Sequence, residues 1–230
     1  MTLRADLDEW VRDTIQSQWT VQNTDLIPSA EDLRLNSNHA KAIERATVLY
    51  ADLDGSTSMV DTLSWQFSAE IYKCFLKCAG DIIKSEGGTI TAYDGDRIMA
   101  IFTGNAQTTS ATRCAMKIHY AVENIIQPYV DRRGTTQYSV NHVVGIDTGE
   151  LHAARIGVHR DNDLVWIGRA ANYAAKLTGM DGKPTRLTAE AYLRLNDSLL
   201  TVNGASIWGF DYWSEMGITH YFTHWHHRFD

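Results

Sequence analysis

The sequence predicts an α+β fold: a split βαβ, ferredoxin-like core with one mixed, mainly antiparallel sheet, helices packed on one face of it, and an N-terminal helix. Three observations predict it. An apolar run of β formers, Ala46 to Asp52, ends in the turn Asp54-Gly55-Ser56-Thr57. A second β stretch, Thr89 to Phe102, is interrupted by Asp94-Gly95, the mark of a tight hairpin. Two long helical patterns, 64–86 and about 106–127, follow the first and second stretches, so the order reads β-α-β-β-α-β plus additional strands.

Each element has a local reason. Leu3, Leu7, Trp10, Val11 and Ile15 recur every three or four residues, which predicts an amphipathic helix over 1–20 that packs on the main domain or on a second subunit. Residues 21–44 are polar, contain Pro28, and read as a connector. The helix 64–86 carries Phe67, Ile71, Phe75, Cys78 and Ile82 on one stripe and ends at Glu86-Gly87-Gly88. The helix 106–127 carries Cys114, Ile118, Ala121, Val122 and Ile125, and Pro128 closes it. Tyr138 to Asp147 reads as a strand, Thr148-Gly149 as a break, Leu151 to Val158 as another strand, 161–163 as a turn and 164–167 as a short strand. A helix covers about 169–178, Pro184 marks a loop, Thr188 caps a helix ending near Leu195, and Ile218–Trp225 is the last strand.

Composition narrows the function classes. At 230 residues the chain is long enough for one sizeable core. A net charge of -7 argues against a nucleic-acid surface. The sequence has no apolar run near the roughly 20 residues that span a bilayer, and its start lacks a signal-peptide core. Cys74, Cys78 and Cys114 read as small core residues of a reduced, cytoplasmic protein.

The chemistry centres on two aspartates. Asp52 ends the first strand and Asp96 follows the hairpin turn, and in a split βαβ core those strands are neighbours. Paired carboxylates suit hard divalent cations, which prefer oxygen ligands. Asp-x-Asp-Gly alone also occurs in calcium loops and phosphotransferases. An EF-hand would need Glu at position twelve, where this chain has Leu63. The plain alternative is that each Asp only caps its own turn. Metal: Asp52, Asp96 and the backbone carbonyl of Leu53 are the predicted ligands of two ions, and Asp54, Gly55, Ser56 and Thr57 offer a phosphate cradle. Such ions activate a ribose hydroxyl and neutralise a triphosphate. His224 and His226 share a strand face, but no carboxylate or Cys partner is evident. His152 and His159 read as polar surface or core residues, and Asp147 and Glu150 as turn residues around Gly149.

With these residues in place, the chain resembles the class III nucleotidyl cyclases over about Ala46 to Leu195. The resemblance rests on Tyr50-Ala51-Asp52-Leu53-Asp54-Gly55-Ser56-Thr57, on Gly95-Asp96-Arg97-Ile98-Met99-Ala100-Ile101-Phe102, and on Trp166-Ile167-Gly168-Arg169-Ala170-Ala171-Asn172-Tyr173-Ala174-Ala175-Lys176. It implies a class III cyclase-type fold with an N-terminal extension at 1–44 and a catalytic domain at 45–230. It implies a homodimer with sites shared between subunits, Asn172 orienting the ribose and Lys176 stabilising the transition-state phosphate where the family usually has Arg. Arg97 then shares the phosphate work.

Two further departures concern the base. Ala92 and Val165 stand where adenylate cyclases carry a purine-reading Lys and Asp, and Tyr50 stands where Phe is frequent. Neither Ala92 nor Val165 can hydrogen-bond a purine edge. The chain is similar to the bacterial Pycsar pyrimidine cyclases, which implies UTP as substrate, manganese (or magnesium) as the ion, and a downstream effector protein that answers to the cyclic nucleotide in anti-phage defence. CTP, a purine substrate, and an inactive nucleotide-sensing domain are the alternatives. No nucleic acid or membrane partner is expected.

Overall fold

The computed structural model describes residues 2–35, 37–133, 137–158, 161–180 and 182–229. Its centre is a mixed sheet built on two long strands, β2 (His39–Asp54) and β5 (Asn141–Val158), paired antiparallel almost end to end. On one side of β2 lie β4 (Arg97–Phe102) and then β3 (Thr89–Asp94). On the other side of β5 lie β7 (Thr185–Thr188), β11 (Ile218–Thr223) and β10 (Gly209–Trp213). Two strands extend the far ends: β1 (Thr20–Asn23) runs parallel to β2, and β6 (Asp161–Ile167) runs antiparallel to β5. The core strands β5-β2-β4-β3 have the spatial order of a split βαβ unit.

Strand alternation gives the sheet two different faces. Leu49, Ala51 and Leu53 of β2, with Ile98, Ala100 and Phe102 of β4, face α3 (Trp65–Ser85) and α4 (Gln107–Ala121). Val48 of β2 and Met99 and Ile101 of β4 face the opposite way, onto Ala170, Ala171 and Ala174 of α6 (Arg169–Leu177). Helices therefore cover both faces, not the one face expected. The α6 residues are small, and at Gly145 of β5 an added Cβ would stand 2.2 Å from the Ala174 carbonyl oxygen. Glycine there lets a helix lie directly on the sheet.

Several expectations about the elements are corrected. The first strand starts at His39, because Ala40 to Ile43 find ladder partners on β5 ahead of an irregular step between Ile43 and Ala46. Thr148-Gly149 is no break. Both residues pair with β2, and Thr148 donates to the Ala46 carbonyl (3.0 Å) while Thr47 donates to Thr148 (3.1 Å). Asp147 and Glu150 are accordingly strand residues. The turn at 161–163 is the start of β6, and the loop after Pro184 is β7. Pro128 does not end the second long helix. A π turn at Val122–Ile126 runs directly into α5 (Gln127–Arg132), and that irregular step carries the helix past Pro128. The inserted residue also turns Ile125 outward and puts Ile126 in the core. Cys74 is exposed, Cys78 half-buried, and Cys114 buried. The apolar stripe of α1 (Leu3–Gln16) is bare, with no buried residue, so it does not pack on this chain's own domain. Among the described residues no helix is long and apolar enough to cross a membrane. His159 lies outside the described residues.

His142 on β5 is buried at 6% exposure in the α3–α4 core. Burial, with His119 beside it, pulls its pKa down to about 3. The unfolded ring titrates at about 6.5, so below that pH the unfolded chain binds a proton that the folded one refuses. Stability from this group is full above the unfolded value and falls as pH drops toward the folded one. Urea titrations should show that His142→Leu flattens the loss of stability on acidification by up to about 1.4 kcal/mol per pH unit between about pH 6 and about pH 5. An unchanged slope would contradict a neutral, buried imidazole.

Candidate active site

The end of β2 and the β3–β4 hairpin build one corner. Tyr50 and Asp52 alternate with the core residues Leu49, Ala51 and Leu53, so both lie on the α6 face. Asp94 pairs with Arg97, which makes Gly95 and Asp96 the two loop residues. Gly95 has φ 61°, the left-handed first position that a two-residue hairpin of this kind needs. Asp96 is thus inside the turn, not after it. Ala51 pairs with Ile98, and the next step along the ladder sets Asp52 beside Arg97. Arg97 forks onto one oxygen, with Nε 3.1 Å and Nη2 2.8 Å from Asp52 Oδ2.

The electrostatics are those of an acidic pair with one cation. Burial raises the Asp52 carboxyl above its ordinary value, the Arg97 bonds lower it, and the charge of nearby Asp96 raises it again. Asp96 Oδ2 is buried with no hydrogen-bond partner among the described residues. Two carboxylates, one of them with an orphaned oxygen, are a donor set that suits a hard divalent ion. Leu53 sends its side chain into the core, leaving only its backbone near the pair. Beyond it, Asp54 ends the strand, Gly55 turns the chain with φ 74°, and Ser56 and Thr57 open a helix, α2 (Ser56–Thr62), where sequence reasoning saw only a turn. Its first helical bond is Met59 N to Gly55 O, so the amides ahead of Met59 lie outside the ladder.

The positions tied to the base separate into two groups. Tyr50 and Ala92 pack together on the α6-side cluster, with the Arg97 guanidinium 6.0 Å from the Tyr50 ring. Burial raises the Tyr50 phenol above its ordinary value. Val165 is exposed on β6, opposite Ala154 at the far end of β5.

On α6, Asn172 and Lys176 are four apart and exposed. Gly168 precedes the helix, and a Cβ there would stand 2.6 Å from the Glu150 carbonyl oxygen. Lys176 Nζ reaches Glu215 at 3.0 Å and the Met216 sulfur at 3.4 Å, in the turn between β10 and β11. Among the described residues no hydrogen bond or ion pair joins Asn172 or Lys176 to Asp52 or Asp96. One chain brings together Asp52, Asp96, Arg97, Tyr50 and Ala92, and presents Asn172, Lys176 and Val165 elsewhere.

Sequence reasoning missed three participants. The Thr178 hydroxyl, at the end of α6, faces Asp52 closely enough to lower its pKa. Glu215 lies 39 residues from Lys176, and no pattern links them. Asp147 is fully buried on β5. It accepts from Thr188 Oγ1, which also caps the helix after β7, and lies 3.6 Å from Arg169 Nε.

A split βαβ sheet, a strand-end aspartate, a hairpin aspartate and a small helix on the same face define a class III nucleotidyl cyclase domain. Solved structures share the fold. The adenylyl cyclase CyaB from P. aeruginosa matches with a TM-score of 0.65 at 19% identity, covering 80% of this chain and 95% of that one. The guanylate cyclase domain of RhGC from Catenaria anguillulae, in complex with GTP, matches with a TM-score of 0.63 at 15% identity over 80% and 97%. Nearer relatives appear by sequence. A uridylate cyclase of Burkholderia cepacia is 60% identical over 98% of both chains, and one of Xanthomonas perforans is 45% identical over 100% of both. A third, from Rhodovulum sp. (strain MB263), is 36% identical over 85% of this chain and 83% of its own length. No family model matches the chain. The chain belongs to the nucleotidyl cyclase family of these uridylate cyclases.

The contact between Gly145 and Ala174 is the tightest seat of α6. Gly145→Ala should cost about 1–3 kcal/mol of stability by overpacking, read from urea unfolding. It should also lower nucleotide turnover by displacing Asn172 and Lys176. A variant with wild-type stability and turnover would show that α6 is not held by this approach.

Proposed function

We propose that the chain converts UTP to 3′,5′-cyclic UMP and pyrophosphate, using two divalent ions and a site completed by a second copy of the chain. The observation that carries the chemistry is the Asp52–Asp96 pair at neighbouring strand ends, with an oxygen left unpaired among the described residues. The substrate follows from full-length relatives named uridylate cyclase and from the apolar side chains at Ala92 and Val165. The same two residues would also admit CTP.

Asp52, Asp96 and the Leu53 carbonyl would hold the ions, manganese or magnesium. When bound, such ions lower the pKa of the ribose 3′-hydroxyl and neutralise the triphosphate and departing pyrophosphate. The chain's own groups do the rest. Asp54, Gly55, Ser56 and Thr57 present backbone N–H groups to phosphate oxygens. Arg97 keeps Asp52 ionised and adds positive charge beside the phosphates. Asn172 fixes the ribose so that its 3′ oxygen lies in line with the α-phosphorus. Lys176 meets the charge that grows on the α-phosphate as the 3′ oxygen bonds to phosphorus and the bond to pyrophosphate breaks. Its pairing with Glu215 is solvent-exposed on both sides and therefore weak. Tyr50 offers a ring and a phenol near the ribose or base.

Because, among the described residues, Asn172 and Lys176 make no bond to the two aspartates within one chain, the proposed head-to-tail homodimer would supply them from the partner. The bare apolar stripe of α1 supports such an association. We further propose that the product acts on an effector protein in anti-phage defence, as the Pycsar resemblance implies.

Purified chain with manganese should cyclise UTP in preference to CTP, ATP and GTP, with products resolved by chromatography. Turnover of ATP alone would overturn the pyrimidine reading. Asp52→Ala and Asn172→Ala chains should each be inactive, yet an equal mixture should recover about a quarter of wild-type activity, since half the dimers carry one intact site of two. No recovery after confirmed subunit exchange would contradict the shared site.

A further inference from the structure

On the α3–α4 side of the sheet, the C-terminal segment folds back on α4. His227 N donates to the Met116 carbonyl at 3.2 Å, and the Tyr120 ring packs edge-on against His226 at 5.3 Å. This brings His226 to the π turn, where His119 and Glu123 stand four residues apart on one helical face. His119 Nε2 lies 3.5 Å from Glu123 Oε1, and His226 Nδ1 lies 3.0 Å from Glu123 Oε2. Ligand atoms of all three residues fall within 4.8 Å of one another. Tetrahedral zinc with bonds of about 2.0–2.1 Å sets its ligand atoms about 3.3 Å apart. The carboxylate partner that the C-terminal histidines lack in sequence is Glu123.

A second observation points to a ligand. His142 is 6% exposed, its Nε2 is buried without a partner among the described residues, and its ring lies 5.3 Å from that of His119. His142, His119, Glu123 and His224 line one cavity of about 210 Å³. Glu123 lies in the π turn, and such turns recur at functional sites.

We propose that His119, Glu123 and His226 form a zinc site that ties the C-terminal segment to α4. Two imidazoles and one carboxylate favour zinc over the oxygen-seeking manganese or magnesium. His119 and Glu123 line the cavity, so a water there would complete the tetrahedron. Because β5 residues Asn141 and His142 line that cavity and pair with Asp54 and Leu53, the ion also braces the strand ends behind the phosphate turn.

The test is zinc retention by the full chain after chelator treatment and dialysis against zinc chloride with magnesium in excess, read by elemental analysis. The expected result is about one zinc per chain in the wild type and in Asp52→Asn/Asp96→Asn. Glu123→Gln and His226→Gln alter part-exposed side chains, so the fold should survive, and each should weaken zinc binding by about tenfold or more. A wild-type chain that holds no zinc would reduce the cluster to an ordinary ion pair and overturn the proposal. So would wild-type zinc affinity in both single variants, or loss of the ion only in the Asp52/Asp96 variant.

Discussion

One guanidinium serves only one of two neighbouring carboxylates at the end of β2, and the proposed site depends on that imbalance. Asp52 is held by a two-point fork from Arg97, while Asp96 keeps a buried oxygen that nothing among the described residues satisfies. An unpaired buried acceptor costs about 1–3 kcal/mol, a cost that a bound cation removes. The fork keeps the Asp52 side of the pair ordered, and the orphaned oxygen supplies the demand for a cation. Arg97 is therefore a restraint on Asp52 and, in the proposed function, positive charge beside the phosphates.

The sheet places that corner and α6 on the same face. Strand alternation sends Leu49, Ala51 and Leu53 into the helical core and leaves Tyr50 and Asp52 on the other face. Small residues on α6 and glycine at position 145 let that helix sit close to the sheet, which fixes where Asn172 and Lys176 project. In the proposed dimer a site divided in this way would gain activity only on assembly, which would couple catalysis to whatever the exposed stripe of α1 contacts.

Much of this was legible in the sequence, and the failures have physical causes. The β run before Asp52, the Asp94-Gly95 hairpin and the α3 stripe are local signals, and local propensity agreed with tertiary structure. Thr148-Gly149 misled because its ladder partners, Thr47 and Ala46, lie about a hundred residues away, and glycine in a strand reads as a break unless its partner is known. Pro128 misled because a π turn has no single-sequence signature. Asp147 looked like a turn residue, yet the long β5 buries it against Thr188 and Arg169. The histidines of the C-terminus looked isolated because Glu123 lies 103 residues from His226. Side chains that meet only through tertiary folding, such as Glu215 with Lys176, leave no periodic trace.

The central claim, that Asp52 and Asp96 together hold the cations that serve the nucleotide, is most directly tested by manganese binding followed by electron paramagnetic resonance with a non-hydrolysable UTP analogue. The account predicts about two manganese ions per assembled site in the wild type and loss of nucleotide-dependent binding in Asp96→Ala, with secondary structure intact by circular dichroism. Undiminished manganese binding in Asp96→Ala and in Asp52→Ala would contradict it.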